Sequence, residues 1–228
     1  MNFLQLVQAL HYEAGLQGTV PATVVSPTGM TAKLVRWINT AYADIQNEHE
    51  TWLFRQEDFS FSTIVGVQDY TPAGVGITDL QSWKIGYNPV RASGIRLYSS
   101  VADEQDLLFA SWQLFRDNYN YGSYRSQSGR PTVFTVSPDK TLKLWPIPDA
   151  IYTVNGEYII TADEMSANAD EPIIPESQMV IVWRALMLYA AYEGASDVYA
   201  HARAEHRKAL GKLSVSQLPK MGFGAPLV

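Results

Sequence analysis

The chain reads as an α+β protein: a helical bundle body, built from N-terminal helices plus a long C-terminal helix, with an inserted β-rich domain. Three observations predict this. Apolar residues recur at three- and four-residue steps near both ends, they alternate every second residue through much of the middle, and Asp170-Glu171-Pro172-Ile173-Ile174-Pro175-Glu176 announces a helix after a proline-stiffened approach. The boundaries that follow are residues 1–55 and 163–213 for the helical body, 56–162 for the inserted domain and 214–228 for an extended C-terminal tail.

Asn2 to Ala14 predicts a short helix with Phe3, Leu6, Val7 and Leu10 on one side. Gly15 to Gly29 is rich in Gly, Thr, Pro and Ser and nearly free of charge, so it connects rather than packs. A second helix is expected after the cap candidate Thr31, carrying Leu34, Val35, Ile38, Ala41, Tyr42 and Ile45 to about His49 or Trp52. The period then changes. Phe59, Phe61 and Thr63 alternate with Ser60 and Ser62, and Gly66-Val67-Gln68-Asp69-Tyr70 looks like a turn into a returning strand.

Short strands are expected around Leu80 to Tyr87 and Gly94 to Tyr98, and helical spacing returns in Leu107, Leu108, Trp112 and Phe115 between Asp106 and Tyr119. Thr132 to Val136, Leu142 to Trp145 and Thr153 to Thr161 read as strands, the first two joined by a tight turn at Ser137-Pro138-Asp139-Lys140. From Pro175 to about Leu213 one long helix is expected, with Val180, Trp183, Ala185, Leu186, Tyr189, Ala190 and Tyr192 on its packed face. Small residues interleaved there describe close packing on other helices. Ser214 to Val228 has apolar residues without a helical period.

Composition narrows the function. The chain has 228 residues, enough for a sizeable interior, and no cysteine, which excludes disulfides, thiolate metal sites and cysteine nucleophiles. A net charge of −6 argues against holding nucleic acid by phosphate neutralisation. Met1 to Leu16 lacks a basic start and a cleavage site, so a secretory signal is not expected, and no run approaches the length of a membrane span. Aromatic residues make up 12% and charged residues only 18%, a balance that suits a surface covered by partners.

Catalytic constellations find little support. His201 and His206 are five apart, off the i, i+4 spacing of a helical metal pair. Ser137-x-x-Lys140 matches a serine/lysine acylation motif in letters, but proline and aspartate fill an expected hairpin turn. The carboxylate pairs Asp163/Glu164 and Asp170/Glu171 sit in what reads as a solvated loop. No phosphate-binding glycine loop is present and no cofactor is expected. Tyr119 to Arg130 is different: tyrosines among Ser, Gly and Asn have the composition of a binding loop, one that could also stack single-stranded bases.

Taken together, Leu34-Val35-Arg36-Trp37-Ile38-Asn39-Thr40-Ala41-Tyr42-Ala43-Asp44-Ile45-Gln46, then Trp52-Leu53-Phe54-Arg55, and later Asp170 to Pro175 leading into Val182 to Glu193, resemble the head-to-tail adaptor (connector) proteins of tailed bacteriophages. Leu144-Trp145-Pro146-Ile147-Pro148 is similar to an apolar-Pro-x-Pro strand end of their inserted domain. The resemblance implies a structural virion protein and no enzyme. It implies a homo-oligomeric ring, commonly of twelve subunits, with the portal protein above, tail or nozzle proteins below, and double-stranded DNA passing through the channel without specific binding. Such a protein is made in the host cytoplasm, ends in the virion neck and has no membrane partner. Within this reading Leu218, Met221, Phe223 and Leu227 of the tail are expected to bind the portal, and Tyr119, Tyr121, Tyr124 and Arg125 to form an inter-subunit loop. The alternatives are a tail-completion or neck protein of another ring, or a tail-associated glycan-binding or hydrolytic protein.

Overall fold

The computed structural model describes residues 1–86 and 94–218. In chain order its elements begin with α1 (Phe3–Glu13), α2 (Gly29–Glu48), β1 (Gln56–Ser62), β2 (Asp69–Tyr70), β3 (Leu80–Trp83) and β4 (Arg96–Tyr98). There follow β5 (Gln105–Asp106), β6 (Leu108–Phe109), α3 (Trp112–Asn118), β7 (Ser128–Gly129), β8 (Val133–Val136), β9 (Leu142–Trp145) and β10 (Ile147–Pro148). The described chain closes with β11 (Thr153–Ile160), α4 (Met179–Glu193) and α5 (Ser196–Gln217). The fold is mixed α+β. It divides into two compact units, Met1–Arg55 with the chain from Ala162 onward, and Gln56–Thr161.

In the helical unit, α4 touches α1, α2 and α5, and its buried residues Val180, Ile181, Val182, Ala185, Leu186, Met187 and Ala190 point to several sides. A helix that is apolar nearly all round is a central helix. Around it close Phe3, Leu6, Val7 and Leu10 of α1, and Leu34, Ile38, Ala41, Tyr42 and Ile45 of α2. The single long C-terminal helix expected from the sequence is instead two helices. Gly194 takes a left-handed φ of 72°, Ala195 donates back to the Ala190 carbonyl at 2.9 Å, and the chain turns into α5. A glycine at this position is the common helix terminator, because it adopts positive φ without a Cβ clash.

Three further expectations are corrected. The helix after Pro175 starts only at Met179, α2 starts at Gly29 rather than after Thr31, and α5 continues to Gln217, past the position where the sequence suggested an extended tail. Tyr192, read as core, is exposed, with the Lys33 ammonium 4.0 Å from its ring centre.

The end of α2 shows why Trp52 and Arg55 follow it. The last four carbonyls of a helix lack internal partners. Trp52 Nε1 donates to the Ile45 carbonyl at 2.9 Å and an Arg55 guanidinium nitrogen donates to the Gln46 carbonyl at 2.6 Å. Both side chains are fully buried. They terminate the helix from beyond its end, and the Arg55 cation suits the negative pole of the helix dipole.

In the β-rich unit, β11 pairs with β1 over seven consecutive residues, from Gln56↔Ile159 to Ser62↔Thr153, and with β3 and β4 on its other edge. A second sheet has the order β2-β9-β8-β6. Here β2 pairs with β9, so the segment after Gly66 does not return on β1. The helical spacing read from Asp106 is also corrected. Leu107 donates to the Ile95 carbonyl and Leu108 to the Thr132 carbonyl, both at 2.9 Å, so neighbouring residues are claimed by different sheets. The helix begins only after Ser111, whose hydroxyl accepts from the Leu114 amide at 3.4 Å. Gly156 faces Phe59 across the β1–β11 ladder; a Cβ there would lie 2.9 Å from the Phe59 ring, so only glycine leaves the ring room.

Candidate functional site

The acidic loop holds the carboxylate pairs Asp163/Glu164 and Asp170/Glu171. It is not a loose solvated loop. Gln46, fully buried on α2, donates through Nε2 to the Asp163 carbonyl at 3.0 Å and accepts from the Asp163 amide at 2.8 Å. A side-chain amide here replaces one rung of a β-ladder. Asn39 donates to the Met165 carbonyl at 2.9 Å, and the Tyr42 hydroxyl accepts from the Ile173 amide at 2.8 Å while lying 3.2 Å from an Asp163 carboxylate oxygen.

Asp170 accepts from the amides of Ser166 and Ala167, both at 2.7 Å, and these bonds hold its carboxyl below the usual range, the Ala167 amide first. Its own carbonyl accepts from the Phe3 amide at 2.7 Å, which satisfies a donor at the start of α1. The Asn168 side-chain oxygen accepts from the Val24 amide, in the connector between α1 and α2, at 2.8 Å. Residues 162–178 are thus a strap stitched to α1 and α2, with the Asp170 carboxylate folding the strap itself and the Asp163 carboxylate meeting Tyr42. Glu164 and Glu171 stay exposed.

The Ser137 hydroxyl donates to the Asp139 carboxylate and lies 3.0 Å from the Thr141 carbonyl. Lys140 has a φ of 65° and its ammonium reaches the Leu80 carbonyl at 3.0 Å. Both residues serve the β8–β9 turn, and the hydroxyls of Ser137 and then Thr141 keep Asp139 below the ordinary carboxylate range.

Of the two histidines on α5, His201 sets its ring edge-on to Trp183 at 5.8 Å. His206 is half-buried. It lines a cavity of about 310 Å³ with Asp44, Ile45, Asn47, Glu48 and Arg184. Arg184 grips one Asp44 oxygen through two nitrogens, at 3.0 and 2.8 Å. Burial first, and then the Arg184 charge, push the His206 imidazole below its ordinary pKa. Among the described residues no group of three His, Asp or Glu side chains is placed to hold a metal ion. None of their helices is long and apolar enough to cross a membrane.

The tyrosine-rich segment divides. Tyr119 packs with Trp145 against Ala110, Phe115 and Val133, so it belongs to the core of the β-rich unit. Its ring meets Trp145 at 4.6 Å and 45°, and Tyr124 meets the same ring at 6.3 Å and 54°. These are tilted clusters rather than a flat stacking platform. Tyr121 and Tyr124 are exposed, on a short 3₁₀ turn held by Trp145 Nε1 to the Tyr124 carbonyl at 2.9 Å and by Arg125 to the Asn120 carbonyl at 3.2 Å. Leu218 packs on the helical core; Met221, Phe223 and Leu227 lie outside the described residues.

Sequence reasoning passed over exposed apolar residues of the β-rich unit, among them Ile64, Val65, Ile151, Phe109 and Leu114, and read Leu108 into a helix. The available signal was Ile64-Val65 directly before the turn glycine Gly66, where polar residues are usual.

A protein-family model described as SU10 adaptor protein matches residues 1–222 of the chain. No curated protein matches it.

Proposed function

Because the chain belongs to the SU10 adaptor protein family, a family of phage head–tail adaptors, we propose that it is a structural component of the virion neck that forms a ring between portal and tail. The family match over residues 1–222 carries this reading, since it runs through both units rather than over one motif. The geometry is in accord. Asp163, Asp170, Ser137 and His201 are engaged in strap, turn and helix contacts, and His206 is half-buried between helices. In this reading the ring holds about twelve subunits, binds the portal on one side and tail or nozzle proteins on the other, and encloses a channel for the genome. Its net charge of −6 would let a polyanion slide rather than stick. Tyr121, Tyr124 and Arg125 stand at a subunit contact, and the apolar residues Met221, Phe223 and Leu227 reach the portal, anchored by Leu218.

Light scattering on the purified protein, alone and with the portal ring of the same virion, tests the reading. A closed ring alone, or one assembled on the portal, is the expected result; a monomer indifferent to the portal refutes it. The tail is tested by ending the chain after Leu218. A cut at Leu213 would remove the last turn of α5 and disturb a fully buried leucine. The protein ending at Leu218 should melt like the full chain and fail to bind the portal, and unchanged binding would remove the tail from the interface.

A further inference from the structure

Asn155-Gly156 is the one Asn-Gly step in the sequence. Flanked by strand-forming residues, such a step is a strong signal for a hairpin turn. Here it lies inside β11, which pairs with β1 on one edge and with β3 and β4 on the other. The glycine is accounted for, because a Cβ at 156 would lie 2.9 Å from the Phe59 ring and 3.1 Å from Ile95. The asparagine is not. It is half-buried opposite Ser60 and Arg96, and its side-chain oxygen is buried without a hydrogen-bond partner.

An Asn-Gly step is also prone to spontaneous deamidation, because glycine has no side chain to keep its amide nitrogen from the asparagine. The Gly156 nitrogen gives its proton to hydroxide and bonds to Asn155 Cγ. The Cγ–Nδ2 bond breaks, ammonia leaves, and a five-membered imide remains. Water then opens the imide at either carbonyl. Breaking the bond between nitrogen and Cγ yields aspartate. Breaking the bond between nitrogen and the main-chain carbonyl carbon yields isoaspartate, in which the chain runs through Cβ and Cγ. Water enters and ammonia departs, with no change of oxidation state.

The β1–β11 ladder opposes the first step twice. Ring closure needs Cβ and the Gly156 nitrogen on the same side of the Asn155 Cα–C bond, and an extended strand, with ψ of about +135°, holds them apart. The nitrogen is also engaged. Bonded and non-bonded pairs alternate along an antiparallel ladder. Thr63 donates to the Tyr152 carbonyl at 2.8 Å, next to the Ser62↔Thr153 pair, so Phe59↔Gly156, of the same parity, is a bonded pair whose Gly156 N–H faces the Phe59 carbonyl. Glu157, the next residue, accepts from the Lys84 amide on the opposite edge at 3.0 Å. We infer that Asn155 is a self-modification site gated by the ladder, unreactive while β1 and β11 are paired and converted to aspartate or isoaspartate when they part. Aspartate, opposite Arg96, still fits the strand. Isoaspartate adds one atom to the main chain of β11, so the buried Val154 and Tyr158 no longer share a face and β1 cannot pair again in register.

The full-length protein is incubated in mildly alkaline buffer, with and without denaturing urea, and its peptides are read by mass spectrometry that separates aspartate from isoaspartate. In urea Asn155 should convert ahead of every other asparagine. In buffer its rate should be at least about 100-fold lower, set by the fraction of time the ladder is open. Val154→Ala removes fully buried methyl groups from β11 and leaves Asn155 and Gly156 in place. It should convert about tenfold faster than wild type in buffer, or at the urea rate if it does not fold. Buffer and urea rates within about tenfold of each other, or a Val154→Ala rate equal to that of wild type, would overturn the inference. After dilution from urea, isoaspartate should be confined to chains that size exclusion shows have not refolded, and equal shares in folded and unfolded fractions would overturn the block to re-pairing.

Discussion

Replacing Gln46 by leucine should loosen the strap at residues 162–178 without opening a cavity, because leucine nearly conserves the volume of glutamine. The magnitude follows from the two bonds to the Asp163 backbone, at 3.0 and 2.8 Å. Each is worth about 0.5–1.5 kcal/mol net, and a backbone group stranded in a partly buried place adds about 1–3 kcal/mol. The Asp163 side chain is exposed, so water reaches part of this backbone and the lower half of the range applies. A loss of about 2–4 kcal/mol is expected from urea unfolding followed by the fluorescence of the buried Trp52, with faster proteolysis between residues 162 and 178. Gln46→Glu separates bonding from packing. An ionised glutamate cannot donate to the Asp163 carbonyl, whereas a protonated one can. Burial raises the carboxyl pKa of the folded variant, so its stability deficit should be small at low pH and grow as pH rises through that pKa. A Gln46→Leu protein within about 0.5 kcal/mol of wild type, the usual range of surface changes, with an unaltered proteolysis pattern would refute the reasoning.

Trp52→Phe keeps most of the buried ring but removes the donor to the Ile45 carbonyl; a loss of about 1–3 kcal/mol and faster amide exchange in the last turn of α2 are expected, and unchanged exchange would show that the bond does not terminate the helix. His206 has its pKa depressed in the folded state, so its contribution is fully present above about 6.5 and is lost as pH falls through the folded value. Arg184 opposes its protonation while Asp44 and Glu48 across the cavity favour it, and the net direction is destabilising. Urea midpoints of wild type should therefore fall below pH 6.5 more steeply than those of His206→Leu, and parallel curves would contradict this.

Periodicity made the packed helices legible. Of the α2 residues expected on one face, Leu34, Ile38, Ala41, Tyr42 and Ile45 are buried and Val35 is half-buried, and the β8–β9 hairpin was readable from Pro138 and Asp139. Local pattern could not separate Leu107 and Leu108 from the helix that follows. Their conformation is set by hydrogen bonds to Ile95 and Thr132, which lie far away in sequence. Gln46 was equally opaque. A glutamine on an amphipathic helix reads as solvent-facing until another segment offers it a backbone. Gly194 is a different case: the terminator stood in the sequence, between Glu193 and Ala195, but the apolar rhythm on both sides outweighed it. The candidate site was legible mainly as an absence of chemistry, since exposed patches on strand edges leave little trace in spacing.

The pairing of Gln56 with Ile159 has a consequence for how such a protein can change. The β-rich unit leaves and rejoins the rest of the chain through neighbouring strand partners, about 5 Å apart. Six further rungs carry the two strands from that doorway to Ser62 and Thr153, while β3 comes back to pair Ser82 with Ile159. A replacement, an added hairpin or a trimmed loop beyond the last rung arrives at the same two residues with the same spacing. Exposed residues such as Ile64, Val65 and Ile151 lie in that stretch, so they can change while Gln56 and Ile159 keep their pairing.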